Sequence, residues 1–116
     1  MHLGRPEDMK LIDIIEYLSD PTKVGQLYDT LRLSTDSEAI LIYMKNTIDL
    51  DSELKFFEIE HTEDQLVFEE NGVTYYQLLP LDHAVEILDS YFSDKEKKLD
   101  NFGLAKRLLE YAINDA

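Results

Sequence analysis

An α+β fold is predicted by three features of the 116-residue sequence. Apolar residues recur at helical spacing at both ends of the chain. Between them lie runs rich in branched and aromatic residues, the material of strands. An Asn-Gly pair, Asn71-Gly72, separates two of these runs and is a strong short-range hairpin signal. The expected order is two N-terminal helices, an antiparallel meander of three or four strands, and two C-terminal helices packed on one sheet face.

The first helix is expected over 6–18. Pro6 suits a first helical position, Glu7 and Asp8 suit the positive end of the helix dipole, and Leu11, Ile14, Ile15 and Leu18 share one face. Ser19-Asp20-Pro21 ends it and opens the next, with Asp20 as N-cap and Pro21 at N1. Val24, Leu27, Tyr28 and Leu31 repeat the apolar spacing, so the two helices should form a hairpin or corner.

STDSE at 34–38 is a break. AILIYMK at 39–45 is apolar on both alternating faces and reads as a buried strand, with a helix capped near Ser37 as the alternative. LKFFEIE, QLVFEE and VTYYQLL read as three further strands, with HTED at 61–64 as a four-residue hairpin loop. Pro80 should end the sheet and Asp82 cap a helix burying Ala84, Val85, Ile87, Leu88 and Tyr91. Ser93-Asp94-Lys95-Glu96 has capping-box spacing. The helix it opens should send Leu99, Phe102, Ala105, Leu108, Leu109 and Ala112 to the core, with Gly103 as a weak point or a place of close packing.

These turns predict a register. The Asn71-Gly72 loop pairs Glu70 with Val73 and Phe68 with Tyr75, and sets Leu66 opposite Gln77. The loop at 61–64 would pair Glu60 with Gln65, Ile59 with Leu66, and Phe57 with Phe68. Phe57, Ile59, Leu66, Phe68 and Tyr75 then share one face, expected to lie under the helices. Phe56, Val67, Tyr76 and Leu78, interleaved with Glu58, Glu60 and Glu69, share the outer face.

No repeat, low-complexity tract or linker divides the chain, which reads as one globular domain over 1–116 with residues 1–5 as a loose N-terminal extension. Apolar residues make up 44% and charged residues 31%, the balance of a soluble domain. The N-terminus does not read as a signal peptide, since Asp13 and Glu16 interrupt its apolar run. Without cysteine there is no disulfide framework, which is compatible with the cytoplasm.

The formal charge is −14, from 11 Lys and Arg against 25 Asp and Glu. Such a surface repels nucleic-acid phosphate and anionic membrane, so neither is an expected partner. Part of the charge serves solubility. Its distribution is uneven, however. Residues 56–76 hold Glu58, Glu60, Glu63, Asp64, Glu69 and Glu70 and no Lys or Arg, whereas Lys95, Lys97, Lys98, Lys106 and Arg107 lie together near the C-terminus.

Motifs for catalysis are weak. His2, His61 and His83 have no metal-binding spacing. His83 and Glu86 share a helix face at i, i+3, which is also common on plain helix surfaces. Asp49-x-Asp51-x-Glu53 lacks the glycine and distal glutamate of a calcium loop. No nucleophile elbow or glycine-rich phosphate loop is present, and no cofactor is implied.

The leading expectation is a non-enzymatic interaction protein that binds a basic protein partner through an acidic, aromatic sheet face. Phe56, Glu58, Val67, Glu69 and Tyr76 are the candidate contacts. It is inhibitor- or immunity-like by physical type only. One alternative is an accessory subunit using that face as a homodimer seam. Another is a small-molecule binder or enzyme with a helix–sheet pocket lined by several of Glu58, Tyr76, Asp82 and His83.

Overall fold

The computed structural model describes residues 9–93 and 100–115. Helices α1 (Leu11–Leu18) and α2 (Pro21–Leu31) lead into strands β1 (Ile40–Lys45) and β2 (Leu54–Glu58). A single helical turn, α3 (Ile59–Thr62), follows. Then come β3 (Val67–Glu70), β4 (Val73–Pro80), α4 (Leu81–Ser93) and α5 (Asn101–Asp115). The α+β order and the antiparallel four-stranded sheet are as the sequence predicts.

Helix α1 begins at Leu11, later than the expected position 6, because residue 10 is extended and serves as its N-cap. The Lys10 backbone N–H donates to Asp13 Oδ2 at 2.9 Å, satisfying a group outside the helix with a side chain inside it. Leu11, Ile14, Ile15 and Leu18 are all fully buried, each worth about 1.5–3 kcal/mol of transfer free energy. Asp20 caps α2 as expected. Its Oδ1 accepts from the Thr22 backbone N–H at 3.0 Å and from the Thr22 hydroxyl at 2.7 Å. Arg32 ends α2 in the left-handed region, φ 54°, and the Leu33 N–H returns to the Tyr28 carbonyl at 2.9 Å.

Strand β1 is central, which its apolar composition on both faces demands. The strand order is β2-β1-β4-β3. Two hairpins, β1–β2 and β3–β4, are thus joined along β1 and β4. The Asn71-Gly72 turn is as predicted, with φ 54° and 79°, Phe68 opposite Tyr75 and Glu70 opposite Val73. The Gln77 N–H donates to the Leu66 carbonyl at 2.9 Å, as the expected setting of Leu66 opposite Gln77 requires.

Residues 61–64 do not form a hairpin loop. Strand β2 pairs with β1, with Ile40 opposite Glu58 and Leu41 opposite Phe57, so the expected pairings of Phe57, Ile59 and Glu60 with β3 are not made. Residues 59–66 instead cross the sheet from its β2 edge to its β3 edge. The crossing turns at Glu63 and Asp64, φ 55° and 58°. The physical reason is β1: its apolar residues need a paired strand on each side, and β2 is the next segment able to supply one.

The helices cover the face bearing Ile40, Ile42, Met44, Leu54 and Phe56, with Leu78 and Leu79 from β4. The β1–β4 register shifts between Ile42, opposite Leu79, and Tyr43, opposite Gln77. This bulge brings Leu78 and Leu79 into the same core, which a strict period of two forbids. The face expected to lie outside is therefore the one under the helices.

Three expectations for the C-terminal helices change. The last helix does not open at Ser93, which ends α4; α5 begins at Asn101. Asp82 lies within the first turn of α4 rather than capping it, because Pro80 runs straight into a helix that starts at Leu81. In α5, Leu104, Ala105, Leu108 and Ala112 are buried, while Phe102 is 54% exposed. Asp100 caps this helix by accepting from the Gly103 N–H at 2.7 Å. The expected Pro6 helix start, with Glu7 and Asp8, lies outside the described residues. So do the 1–5 extension, Asp94-Lys95-Glu96, Leu99 and the side chain of Tyr91.

Candidate functional site: the second face and outer edge of the sheet

The second face of the sheet carries no long helix. Leu41, Tyr43 and Phe57 form a small buried cluster there, with Ala39, Ile59, Phe68 and Tyr75 packed around it. The rings meet edge to face. Tyr43 and Tyr75 each approach Phe57, at 5.4 and 5.3 Å between centroids, and Phe57 approaches Phe68 at 5.3 Å. The predicted neighbours Phe57 and Phe68 thus touch, although their strands lie at opposite edges of the sheet.

The 59–66 crossing is pinned from beneath. The Tyr43 hydroxyl, buried at the centre of the face, lies 2.9 Å from Thr62 Oγ1 and 2.6 Å from the Gln65 carbonyl. Gln77 Nε2 donates to the Tyr43 oxygen at 3.2 Å and to Asp64 Oδ1 at 3.0 Å. The His61 ring stacks on Phe57 at 5.5 Å, and its Nε2 lies 2.9 Å from Glu70 Oε1. At the start of the crossing, Glu60 accepts from the Ser37 hydroxyl at 2.6 Å and the Glu38 N–H at 2.9 Å. These two bonds, the Ser37 hydroxyl first, hold the Glu60 carboxyl below its usual pKa.

Charge is divided across the sheet. Its two lysines, Lys45 and Lys55, belong to β1 and β2. Lys45 pairs with Glu53 at 3.6 Å, and Lys55 lies 5.8 Å above the Phe57 ring. Strands β3 and β4 carry no cation. Around β3 stand Glu63, Asp64 and Glu69, all exposed, and Glu70, half-buried. Leu66 is 68% exposed and Val67 54%, beside half-buried Phe68 and Tyr75.

The five residues expected to bind a partner are distributed over three strands. Val67 lies directly opposite Tyr76, with Glu69 two residues along β3. Phe56 and Glu58 are on β2 at the far edge. β2 and β3 stand at opposite ends of the strand order, yet Phe56 and Glu58 line one cleft with Glu70 of β3. Phe56 packs against the main core, whereas Glu58 is exposed. Leu66, Phe68, Glu70 and Tyr75 lie at the open edge and second face, where no contact is expected from the sequence. The β3–β4 register that sets them there agrees with the expected one, whereas the open face and the partner of β2 do not.

A cleft of about 440 Å³ lies on the β2 side of the sheet and reaches across to β3: Phe56, Glu58, Lys55 and Arg32 line it together with His61 and Glu70. Of the four residues named for a helix–sheet pocket it includes Glu58, but not Tyr76, Asp82 or His83. His83 instead meets Tyr111 edge to face at 5.7 Å, in the helical layer. Among the described residues, no three His, Asp or Glu converge to hold a metal ion.

Fold and site together define an α+β protein with four helices on one sheet face, a crossing segment on the other, and an acidic outer edge. Comparison with protein-family models, curated proteins and solved structures gives no match. No helix among the described residues is long and apolar enough to cross a membrane.

Proposed function

We propose that the chain is an interaction protein that takes a basic protein partner on the outer edge of its sheet, at β3 and the adjoining second face. One observation carries this reading. The two most exposed large apolar residues at that edge, Leu66 and Val67, are flanked by Glu63, Asp64, Glu69 and Glu70, with no cation on β3 or β4. Apolar patches rimmed by charge of one sign mark binding surfaces. Carboxylates steer a cationic partner inward, and the apolar residues slow its departure. Of the residues foreseen from sequence, Val67 and Glu69 stay in this reading, and Leu66, Phe68, Glu70 and Tyr75 join them. Tyr76, on the helix-side face of β4, and Phe56 and Glu58 on β2 are not part of it.

A homodimer seam at the same edge is less favoured. It would bring together two copies of an edge whose charged groups are all carboxylates, with no cation on β3 or β4 to offset them. The C-terminal cations Lys106 and Arg107 lie on α5, in the helical layer, so they belong away from the contact.

The test is affinity capture from the producing cell at low and high salt, with wild type, a Glu69→Lys/Glu70→Lys variant and a Lys106→Glu/Arg107→Glu variant. A basic protein should be retained at low salt by wild type and by the α5 variant, and lost from the β3 variant. Retention of an acidic protein, or loss only from the α5 variant, would refute the reading.

A further inference from the structure

The β3 edge offers backbone as well as side chains. Hydrogen-bonded and non-hydrogen-bonded pairs alternate along an antiparallel ladder. The Gln77 N–H donates to the Leu66 carbonyl, and the two-residue turn joins Glu70 to Val73. Leu66, Phe68 and Glu70 therefore bond toward β4. Val67 and Glu69 direct their N–H and C=O groups away from it. Strand β3 ends the sheet, and no described residue hydrogen-bonds to those outward groups. Natural edges are commonly protected by shortness, charge, proline or a bulge. This strand is short, four residues, but its register is unbroken, it has no proline, and its only charges are carboxylates, which repel further acidic strands and leave a basic one free to pair.

Resting on the reading above, we infer that β3 accepts an extended segment of the basic partner as a fifth, antiparallel strand. The side chains on β3 specify its sequence. On the helix-side face Val67 is followed by Glu69. On the second face Phe68 is followed by Glu70. Each face thus shows an apolar residue and then an acid, and cross-strand neighbours favour apolar on apolar and opposite charge on charge. Reading antiparallel, the incoming strand carries two cations opposite Glu70 and Glu69. Two apolar residues follow, opposite Phe68 and Val67, and a third opposite Leu66. The recognised segment is therefore basic-basic-apolar-apolar-apolar from N to C. Main-chain bonds at Val67 and Glu69 supply affinity, and the alternating side chains supply register.

The probe is a labelled synthetic peptide, acetyl-Thr-Lys-Arg-Val-Ile-Val-Thr-amide, with the reversed sequence as control. Binding is measured by fluorescence anisotropy to wild type, Glu69→Ala and Glu69→Pro. Both substitutions remove the same charge, but only proline removes the outward N–H. Proline is tolerated where a strand's N–H faces away from the sheet. The peptide should bind wild type better than its reversal does, and Glu69→Pro should bind about tenfold more weakly than Glu69→Ala. Hydrogen exchange on the wild-type complex should show protection at the Val67 and Glu69 amides, whatever the fate of the proline variant. No detectable binding, tighter binding of the reversed peptide, or equal binding by the alanine and proline variants would overturn strand addition. So would unprotected Val67 and Glu69 amides. The underlying basic-partner reading fails separately, if Glu69→Lys/Glu70→Lys leaves capture of the basic protein unchanged.

Discussion

At residue scale, Tyr43 holds the second face together. Its hydroxyl is the meeting point of Thr62, Gln65 and Gln77, in a side chain with no exposed surface. Tyr43→Phe should keep the ring packing but strand these groups, lowering stability by about 1–3 kcal/mol in chemical denaturation. Gly72 is a second such point. A Cβ there would meet nothing within 4 Å, so the cost of Gly72→Val is backbone strain at φ 79° alone, about 1–3 kcal/mol. Asp20 and Glu60 are both held below the ordinary carboxylate pKa, Asp20 first by the Thr22 hydroxyl and Glu60 first by the Ser37 hydroxyl. A carboxyl with a lowered folded pKa contributes stability above its unfolded pKa and loses it as pH falls through the folded one. The melting temperature should therefore fall as pH drops below about 4. Glu60→Gln should flatten part of that fall, and a slope unchanged by this substitution would contradict the two bonds to Glu60.

At element scale, local chemistry was legible and partner choice was not. The Asp20 cap and the Asn71-Gly72 turn depend on residues within a few positions of each other, and both appear as read. The β3–β4 register followed from the turn alone. The pairing of β2 depended on a strand many residues earlier, and HTED could have served as a loop for either neighbour. Its actual use, a helical turn with two left-handed residues, carries no glycine to announce it. The side of the sheet was misread for a related reason. Phe57, Phe68 and Tyr75 share a face as expected. The deciding weight lay in Ile40, Ile42 and Met44 on β1, and in a bulge that turned both Leu78 and Leu79 inward. The proposed contact at β3 can therefore be tested apart from folding. Leu66→Ser with Val67→Thr removes exposed apolar surface only, so stability should change by no more than about 0.5 kcal/mol for each substitution. The same pair should raise the partner's dissociation rate, by an amount on the order of 1–3 kcal/mol if either residue is a hot spot. Unfolding curves and dissociation kinetics on one sample would separate the two effects.

At the scale of the whole molecule, the net charge of −14 is arranged and not merely abundant. The sheet's lysines lie on β1 and β2, Lys106 and Arg107 lie in the helical layer, and the β3 edge shows carboxylates around exposed Leu66 and Val67. A protein charged only for solubility has no need to place apolar side chains and free backbone groups at an acidic edge. Such an edge should draw a cationic partner faster at low ionic strength than at high. The most direct test is the association rate of the captured partner as a function of salt, for wild type and for Glu69→Lys/Glu70→Lys. The wild-type rate should fall steeply as salt rises, and the charge-reversed variant should associate more slowly with a weaker salt dependence. Equal rates and equal slopes for the two proteins would contradict a basic partner at the β3 edge.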